Sequence, residues 1–247
     1  MSTDLSLQTV GGLVAERPSR SRIFERWGID YCCGGKKPLK ESCAALSVDL
    51  DAVLRELQVE GAEVDSAPTD LRTVPLSTLT AHIIAVHHAS LRAALPRLSM
   101  LTQKVRDAHA RRHPELTEVA SVFAAFRSDM EAHTDREEQI LFPYIEQLES
   151  ENADPTIVGG SVHGTIQEME KDHEDAGQAL ETLRRLTNGF TAPDGACATY
   201  RAMLDALSEL EADTHRHVHK ENSILFPRAE AREAELSARL QTHGTGR

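Results

Sequence analysis

His133-Thr-Asp-Arg-Glu137, followed by Ile140-Leu141-Phe142-Pro143, decides how this chain is read, because it is written twice. The second copy is His217-Val-His-Lys-Glu221, followed by Ile224-Leu225-Phe226-Pro227. Counted from the histidine, Glu falls at +4, Ile at +7, Leu at +8, Phe at +9 and Pro at +10 in both copies. His88 lies 45 residues before the first copy, and His173 lies 44 before the second. On a helix, positions i and i+4 share a face, about 5–6 Å apart, so each His-x3-Glu aims two metal-compatible groups the same way. A single copy is weak evidence, since His and Glu four apart often form an ordinary helix pair. Two copies, each with its upstream histidine, supply four imidazoles and two carboxylates. On the apolar side of a bundle these would be costly polar groups without a ligand to hold. The inventory suits a pair of first-row transition metals, iron best of all. A mononuclear centre with two histidines and one carboxylate fits less well, because it leaves a second identical set unused.

Bulk composition narrows the partners. The 247 residues carry a net charge of −12, which argues against nucleic acid or an anionic membrane surface as the main partner. There is no apolar run of the roughly 18 residues a membrane span needs. The start, Met-Ser-Thr-Asp-Leu-Ser-Leu, lacks the charged lead and apolar core of a signal peptide. Four cysteines, two of them adjacent, do not make a secreted disulfide framework. The expected compartment is the cytoplasm.

Aromatics are only 4 % and Ala, Leu, Glu and Arg dominate, so the fold class expected is all-α. Residues 1–60 read as a small helical domain. Leu7, Val10, Leu13 and Val14 recur at helical spacing, Pro18-Ser19 offers a start for Arg20 to Trp27, and Gly28 stops it. Two further short helices, Leu39 to Leu46 and Asp49 to Leu57, follow a Cys-Cys-Gly-Gly turn. Residues 61–75 hold two prolines and no periodicity, and read as a linker. Residues 76–235 then contain four long helical stretches, at about 76–110, 115–149, 162–188 and 196–233, ahead of a tail at 236–247. Their buried stripes run through Leu79, Ile83, Leu91, Leu95 and Leu98; Val119, Val122, Phe123 and Phe126; Leu180, Leu183 and Leu186; and Met203, Leu204, Leu207 and Leu210. Modest loops between them favour an up-down-up-down four-helix bundle, with the doubled motif adding pseudo-twofold symmetry.

With twelve histidines, selection matters. In the first stretch His87 and His88 both continue the apolar stripe, and the repeat spacing favours His88. In the third, His163 lies at the helix start while His173 matches the register. His215 and His219 flank His217 at i±2 and point to the other side of the helix. The candidate metal ligands are therefore His88, His133, Glu137, His173, His217 and Glu221. Two histidines per metal with two central carboxylates would let each carboxylate bridge both ions, an oxo or hydroxo bridge completing the shells.

This set resembles the hemerythrin-like bundle, in which an isolated His and a His-x3-Glu occur twice. Asp30-Tyr31-Cys32-Cys33-Gly34-Gly35-Lys36 ahead of such a bundle narrows the resemblance to the repair-of-iron-centres family. Further matches are Glu137-Glu-Gln-Ile-Leu-Phe-Pro143, Asp172-His173-Glu-Asp-Ala-Gly177 and Glu221-Asn-Ser-Ile-Leu-Phe-Pro-Arg228, and the likeness runs from about Leu7 to Glu230. It implies a di-iron protein that restores iron–sulfur clusters after nitrosative or oxidative damage, with the damaged proteins as clients and NO or O2 as small ligands. The family's ligands fall on the six residues named, the two glutamates bridging. His109 also matches a family histidine but has no counterpart in the second repeat, and stays outside the ligand set. His87 is a local departure from the pattern. Three functions remain open on this reading: cluster repair or iron supply, reversible O2 or NO binding as a sensor or carrier, and reduction of NO by the di-iron pair. A homodimer is also left open.

Cys32 and Cys33 carry two readings of their own. As neighbours they cannot pair with each other without strain, so they are either small residues before a turn or thiols for metal hand-over, nitrosyl transfer or redox sensing. Lys36 and Lys37 are expected to lower the thiol pKa in the second case. Cys43 and Cys197 fall on expected helices and read as packing residues.

Overall fold

Helix starts and stops follow the chain's local chemistry. In the computed structural model, which describes residues 4–60, 70–150 and 161–244, the Thr9 hydroxyl accepts the Gly12 N–H at 3.1 Å and opens α1 (Val10–Glu16). A 3-10 turn at Pro18–Arg20 leads into α2 (Ser21–Trp27), closed by Gly28 in the left-handed region at φ 65°, the residue that meets no Cβ penalty there. α3 (Leu39–Leu46) and α4 (Leu50–Glu60) follow. Four segments make up the rest: α5 (Leu76–Ile83) running through a π turn into α6 (Ala89–His109); α7 (Glu115–Arg136), a second π turn and α8 (Phe142–Gln147); α9 (Val162–Leu186); and α10 (Ala198–Lys220), a third π turn and α11 (Phe226–Gly244). Among the described residues there is no strand, only one isolated bridge between Thr9 and Pro38. The chain is all-α, as its composition predicts. Most of the expected linker, 61–69, lies outside the described residues.

The three π turns, Ile84–His88, Glu137–Leu141 and Glu221–Leu225, interrupt stretches that the periodicity reads as uninterrupted helices. In the second and third, proline explains the widening. The Phe142 N–H bonds the Glu137 carbonyl and the Phe226 N–H bonds the Glu221 carbonyl, each five residues back. Pro143 and Pro227 come next; they have no N–H, and their rings would strike the carbonyl four back in an α-helix. The wider turn opens the ladder at that point and lets the helix resume. In the first, the Ala89 N–H reaches the Ile84 carbonyl with no proline in that turn. Such turns are frequent at functional sites. Each of these three contains an expected metal ligand: His88, Glu137 or Glu221.

The described residues form two units. The first draws on 4–60, 70–79, 148–150 and 215–244. Its core joins Val10, Leu13, Phe24, Tyr31, Leu39, Cys43, Val53 and Leu57 to Val218 from α10. The carboxylate of Glu149 accepts the N–H of Ser77 at 2.9 Å and so caps α5 from a distant part of the chain, while Arg228 donates to the Leu71 carbonyl at 3.1 Å. The second unit draws on 80–147 and 161–214. Here α6, α7, α9 and α10 share one core of Leu91, Leu95, Leu98, Val119, Phe123, Phe126, Leu180, Leu183, Met203, Leu204, Leu207 and Leu210. These follow the stripes that the helical spacing predicts, with Val122 and Leu186 at the core's margin and Leu79 and Ile83 buried but outside this cluster.

Gly35 shows how tightly the Cys-Cys turn is built. The Gly11 N–H donates to its carbonyl at 2.9 Å, and a Cβ added at Gly35 would stand 2.5 Å from the Tyr31 carbonyl oxygen. Backbone cannot yield as a side-chain tip can, so Gly35→Ala is expected to cost about 1–3 kcal/mol. Denaturant unfolding followed by the fluorescence of Trp27, the chain's single tryptophan, reads this directly. An unchanged midpoint would mean that the turn re-forms without the close approach.

Candidate metal centre

In the second unit, π turn and helix bring four of the expected ligands to one buried place. His88, His133, Glu137 and His173 are each no more than 1 % exposed. Glu137 Oε2 lies 3.3 Å from His88 Nε2 and 3.3 Å from His133 Nε2, while His133 Nε2 lies 3.1 Å from His173 Nε2. Two nitrogens bound to one metal at about 2.1 Å and at right angles stand about 3.0 Å apart, so these separations are those of donors sharing an ion. One carboxylate oxygen equidistant from two imidazoles on different segments makes a compact group of donors suited to a metal ion.

Acidic residues beside the expected ligands set the ring orientations. His88 Nδ1 pairs with Glu138 Oε1 at 2.7 Å, and His133 Nδ1 pairs with Asp172 Oδ2 at 3.2 Å. Each carboxylate fixes a tautomer with hydrogen on Nδ1 and the Nε2 lone pair facing the interior. Burial alone would raise the Glu138 carboxyl, but hydrogen bonds from His88 and Arg92 outweigh it and hold the group below its usual range. Arg136 reaches Asp172 at 2.5 Å in the same supporting role. The stacked ring of Phe142, 5.7 Å from that of His88, closes one side. Sequence reading missed the roles of Glu138 and Asp172; their signal was an acid directly beside a ligand, on the side of the helix facing a neighbouring ligand's ring. His87 is equally buried but turns elsewhere, with Nδ1 3.0 Å from Asp213 and its ring edge-on to His82.

In the first unit, His217 and Glu221 are fully buried and their Nε2 and Oε1 atoms lie 2.9 Å apart, the one-turn spacing of the motif realised at the join of α10 and the third π turn. His219 faces the other side of this helix, as its i+2 position requires. Its Nδ1 lies 3.3 Å from the Tyr31 carbonyl and its ring 5.5 Å from that of Tyr31. Burial pushes its pKa down to about 4, so it sits there as a neutral imidazole. The close approach of α1 to the third π turn depends on Gly11, where a Cβ would lie 2.4 Å from Ser223 Oγ.

Cys32 and Cys33 lie in this first unit, their sulfurs 4.0 Å apart, and Asp30 completes a group of three donors within 4.8 Å. The expectation of a lowered thiol pKa fails at Cys32. Its hydrogen bond with Cys33, its burial and the nearby Asp30 carboxylate, 3.1 Å from the sulfur, push it up instead; the lysines do not offset them. Cys43 is buried in the core, as expected of a packing residue. Cys197 is not: it is exposed, immediately before α10, with its sulfur 3.3 Å from His109 Nε2. None of the four cysteines forms a disulfide. His109 ends α6, 21 residues beyond His88, or about 30 Å at 1.5 Å per residue, which removes it from the metal ligands.

The comparisons with known proteins agree with this geometry. Residues 79–229 match the hemerythrin HHE cation binding domain, and residues 6–60 match a domain of unknown function, DUF542. The iron-sulfur cluster repair protein YtfE of Edwardsiella ictaluri is 40 % identical over 223 residues, 89 % of this chain and 95 % of that protein. The chain belongs to this hemerythrin-like family. YtfE of Citrobacter koseri is 36 % identical over 228 residues, and that of Escherichia coli O81 is 35 % identical over 228, each covering 92 % of this chain and 98 % of the relative. Family membership and the buried His and Glu groups together give a metal centre. No helix among the described residues is long and apolar enough to cross a membrane.

Proposed function

We propose that His88, His133, Glu137, His173, His217 and Glu221 hold two iron ions, and that the protein uses this centre to repair, or supply iron to, iron–sulfur clusters damaged by nitrosative or oxidative stress. The observation that carries the reading is Glu137 Oε2 placed 3.3 Å from two imidazole nitrogens, with the His133 and His173 nitrogens 3.1 Å apart beside it. Glu221 stands to His217 as Glu137 stands to His133 in the doubled motif, and so offers the second bridging carboxylate. The donor set fits iron: nitrogen and oxygen ligands, buried, with tautomers fixed from behind. Bound there, iron supplies one-electron chemistry, an open position for NO or O2, and a metal that can pass to a client.

The chain's own residues hold the rings and exclude water. Glu138 and Asp172 hold the His88 and His133 rings, and the Phe123, Phe126 and Met130 side chains keep the adjoining interior apolar. Imidazole-rich ligation brings less negative charge than a carboxylate-rich site, which sets a different redox poise and eases release of the metal. Damaged iron–sulfur proteins are the clients on this reading. The absence of disulfides at the four cysteines is in keeping with a cytoplasmic site of action.

Asp30, Cys32 and Cys33 favour repair over a plain O2 or NO carrier, whose task needs no second cluster of donors. The diferrous protein is expected to restore a damaged 4Fe–4S enzyme faster than the same amount of free ferrous iron. Equal rates would reject the reading. A Cys32→Ser/Cys33→Ser protein should keep the parent's iron content and optical spectrum yet lose most of its repair activity. Full activity in that variant would make the cysteines structural and return weight to a carrier or sensor.

A further inference from the structure

The opposite end of the second unit holds a cluster that the metal chemistry does not use. His109 closes α6 and Cys197 precedes α10, and the fold brings these two residues, 88 apart in sequence, to 3.3 Å between Nε2 and Sγ. Tyr200 packs its ring 5.5 Å from that of His109, and His113 sets its own ring edge-on against Tyr200 at 5.9 Å. Tyr200 is buried, and His109 and His113 are half-buried, so the imidazole is held on a fixed wall. The sulfur itself is exposed. We propose that Cys197 and His109 form a nucleophilic thiol–imidazole pair that undergoes exchange with small-molecule disulfides, making Cys197 a site of reversible S-thiolation.

The chemistry balances without another reactant. His109 Nε2 takes the thiol proton, and the Cys197 sulfur attacks one sulfur of the disulfide. The new Cys197 S–S bond forms as the old S–S bond breaks, and the departing thiolate collects the proton that His109 held. Thiol plus disulfide thus gives mixed disulfide plus thiol. Three groups favour the thiolate. The Tyr200 backbone N–H bonds the sulfur, then the His109 ring, then the Thr199 N–H, at the positive end of a 23-residue helix. Together they lower the thiol to about 7. Cys32 and Cys43 lack this arrangement: both are buried and their thiols are pushed up by burial among their causes.

The test uses the full chain and two disulfides, the chromogenic dithiobis(nitrobenzoate) and glutathione disulfide. Thiolate fraction favours a thiol near 7 about sixteenfold over an ordinary one at pH 7, and lower intrinsic nucleophilicity returns about fivefold, leaving a gain of about threefold. The pH profile is therefore the sharper readout. Labelling of Cys197 should rise to a plateau with its midpoint near 7. His109→Gln should move that midpoint upward and slow the reaction at pH 7 by less than the full threefold, since the Tyr200 and Thr199 N–H groups remain, while iron content stays at the parent's value. Mass spectrometry after glutathione disulfide should find the small thiol on Cys197, and Cys197→Ser should carry none there. A midpoint in the ordinary thiol range, a profile indifferent to His109→Gln, or glutathione on Cys33 ahead of Cys197 overturns the proposal.

Discussion

Glu137→Ala is expected to empty most of the metal centre. The carboxylate oxygen that meets both His88 and His133 is a single atom, so its loss weakens two sets of donors at once. Residues that merely orient a ligand typically cost about 10–100-fold in metal affinity when removed, and a shared ligand should exceed the upper end of that range. The parent should bind two irons per chain by elemental analysis after anaerobic loading. Glu137→Ala should bind fewer than one, and Glu137→Ala/Glu221→Ala should show no coupled di-iron spectrum. Circular dichroism on the same samples separates loss of metal from loss of fold. A folded double variant that still carries a coupled pair would remove these glutamates from the centre.

Stripping the iron should lower the melting temperature by roughly 8–16 °C. Metal bound only by the folded state stabilises it by about 4 kcal/mol when free metal stands about a thousandfold above Kd. For a chain of this size each kcal/mol moves the transition by about 2–4 °C. The His and Glu groups would otherwise sit buried without their ion, adding to the apo protein's disadvantage. Far-ultraviolet dichroism follows the whole helical chain, whereas Trp27 follows α2. The Trp27 transition should move too, because the core around α2 includes Val218, the neighbour of His217. Coincident melting of the iron-loaded and iron-free proteins would mean that the site is incidental to the fold.

Much of this molecule is readable from its residues, and the unread parts share a cause. The apolar stripes of α6, α7, α9 and α10 follow from spacing alone, because a 3.6-residue period is a property of one segment. The same is true of Gly28, whose left-handed cap ends α2 where the sequence places a stop. The π turns escaped, although Pro143 and Pro227 were in plain view: proline near a helical motif marks a break, and a widened turn is the alternative that periodicity cannot distinguish. The supporting carboxylates Glu138 and Asp172 also escaped, since their partners lie on other helices. The periodicity starts this helix at about 196 and so makes Cys197 a packing residue; with α10 starting at Ala198, the thiol stands at the helix mouth beside a residue 88 positions away. Local pattern reveals what a segment is, and pairing between segments reveals what it does.

The seat of the Cys-Cys turn has a consequence for how the protein is made. Tyr31 meets His219 across 188 residues of chain, and Gly11 lies against Ser223. The segment up to Glu60 leaves the ribosome before Val218, His219 and Ser223, which its core and its turn meet in the folded chain, have been translated. Contacts so distant in sequence close slowly. A nascent chain truncated before Val218 should therefore carry this segment in a more protease-sensitive state than a chain that includes His219 and Ser223.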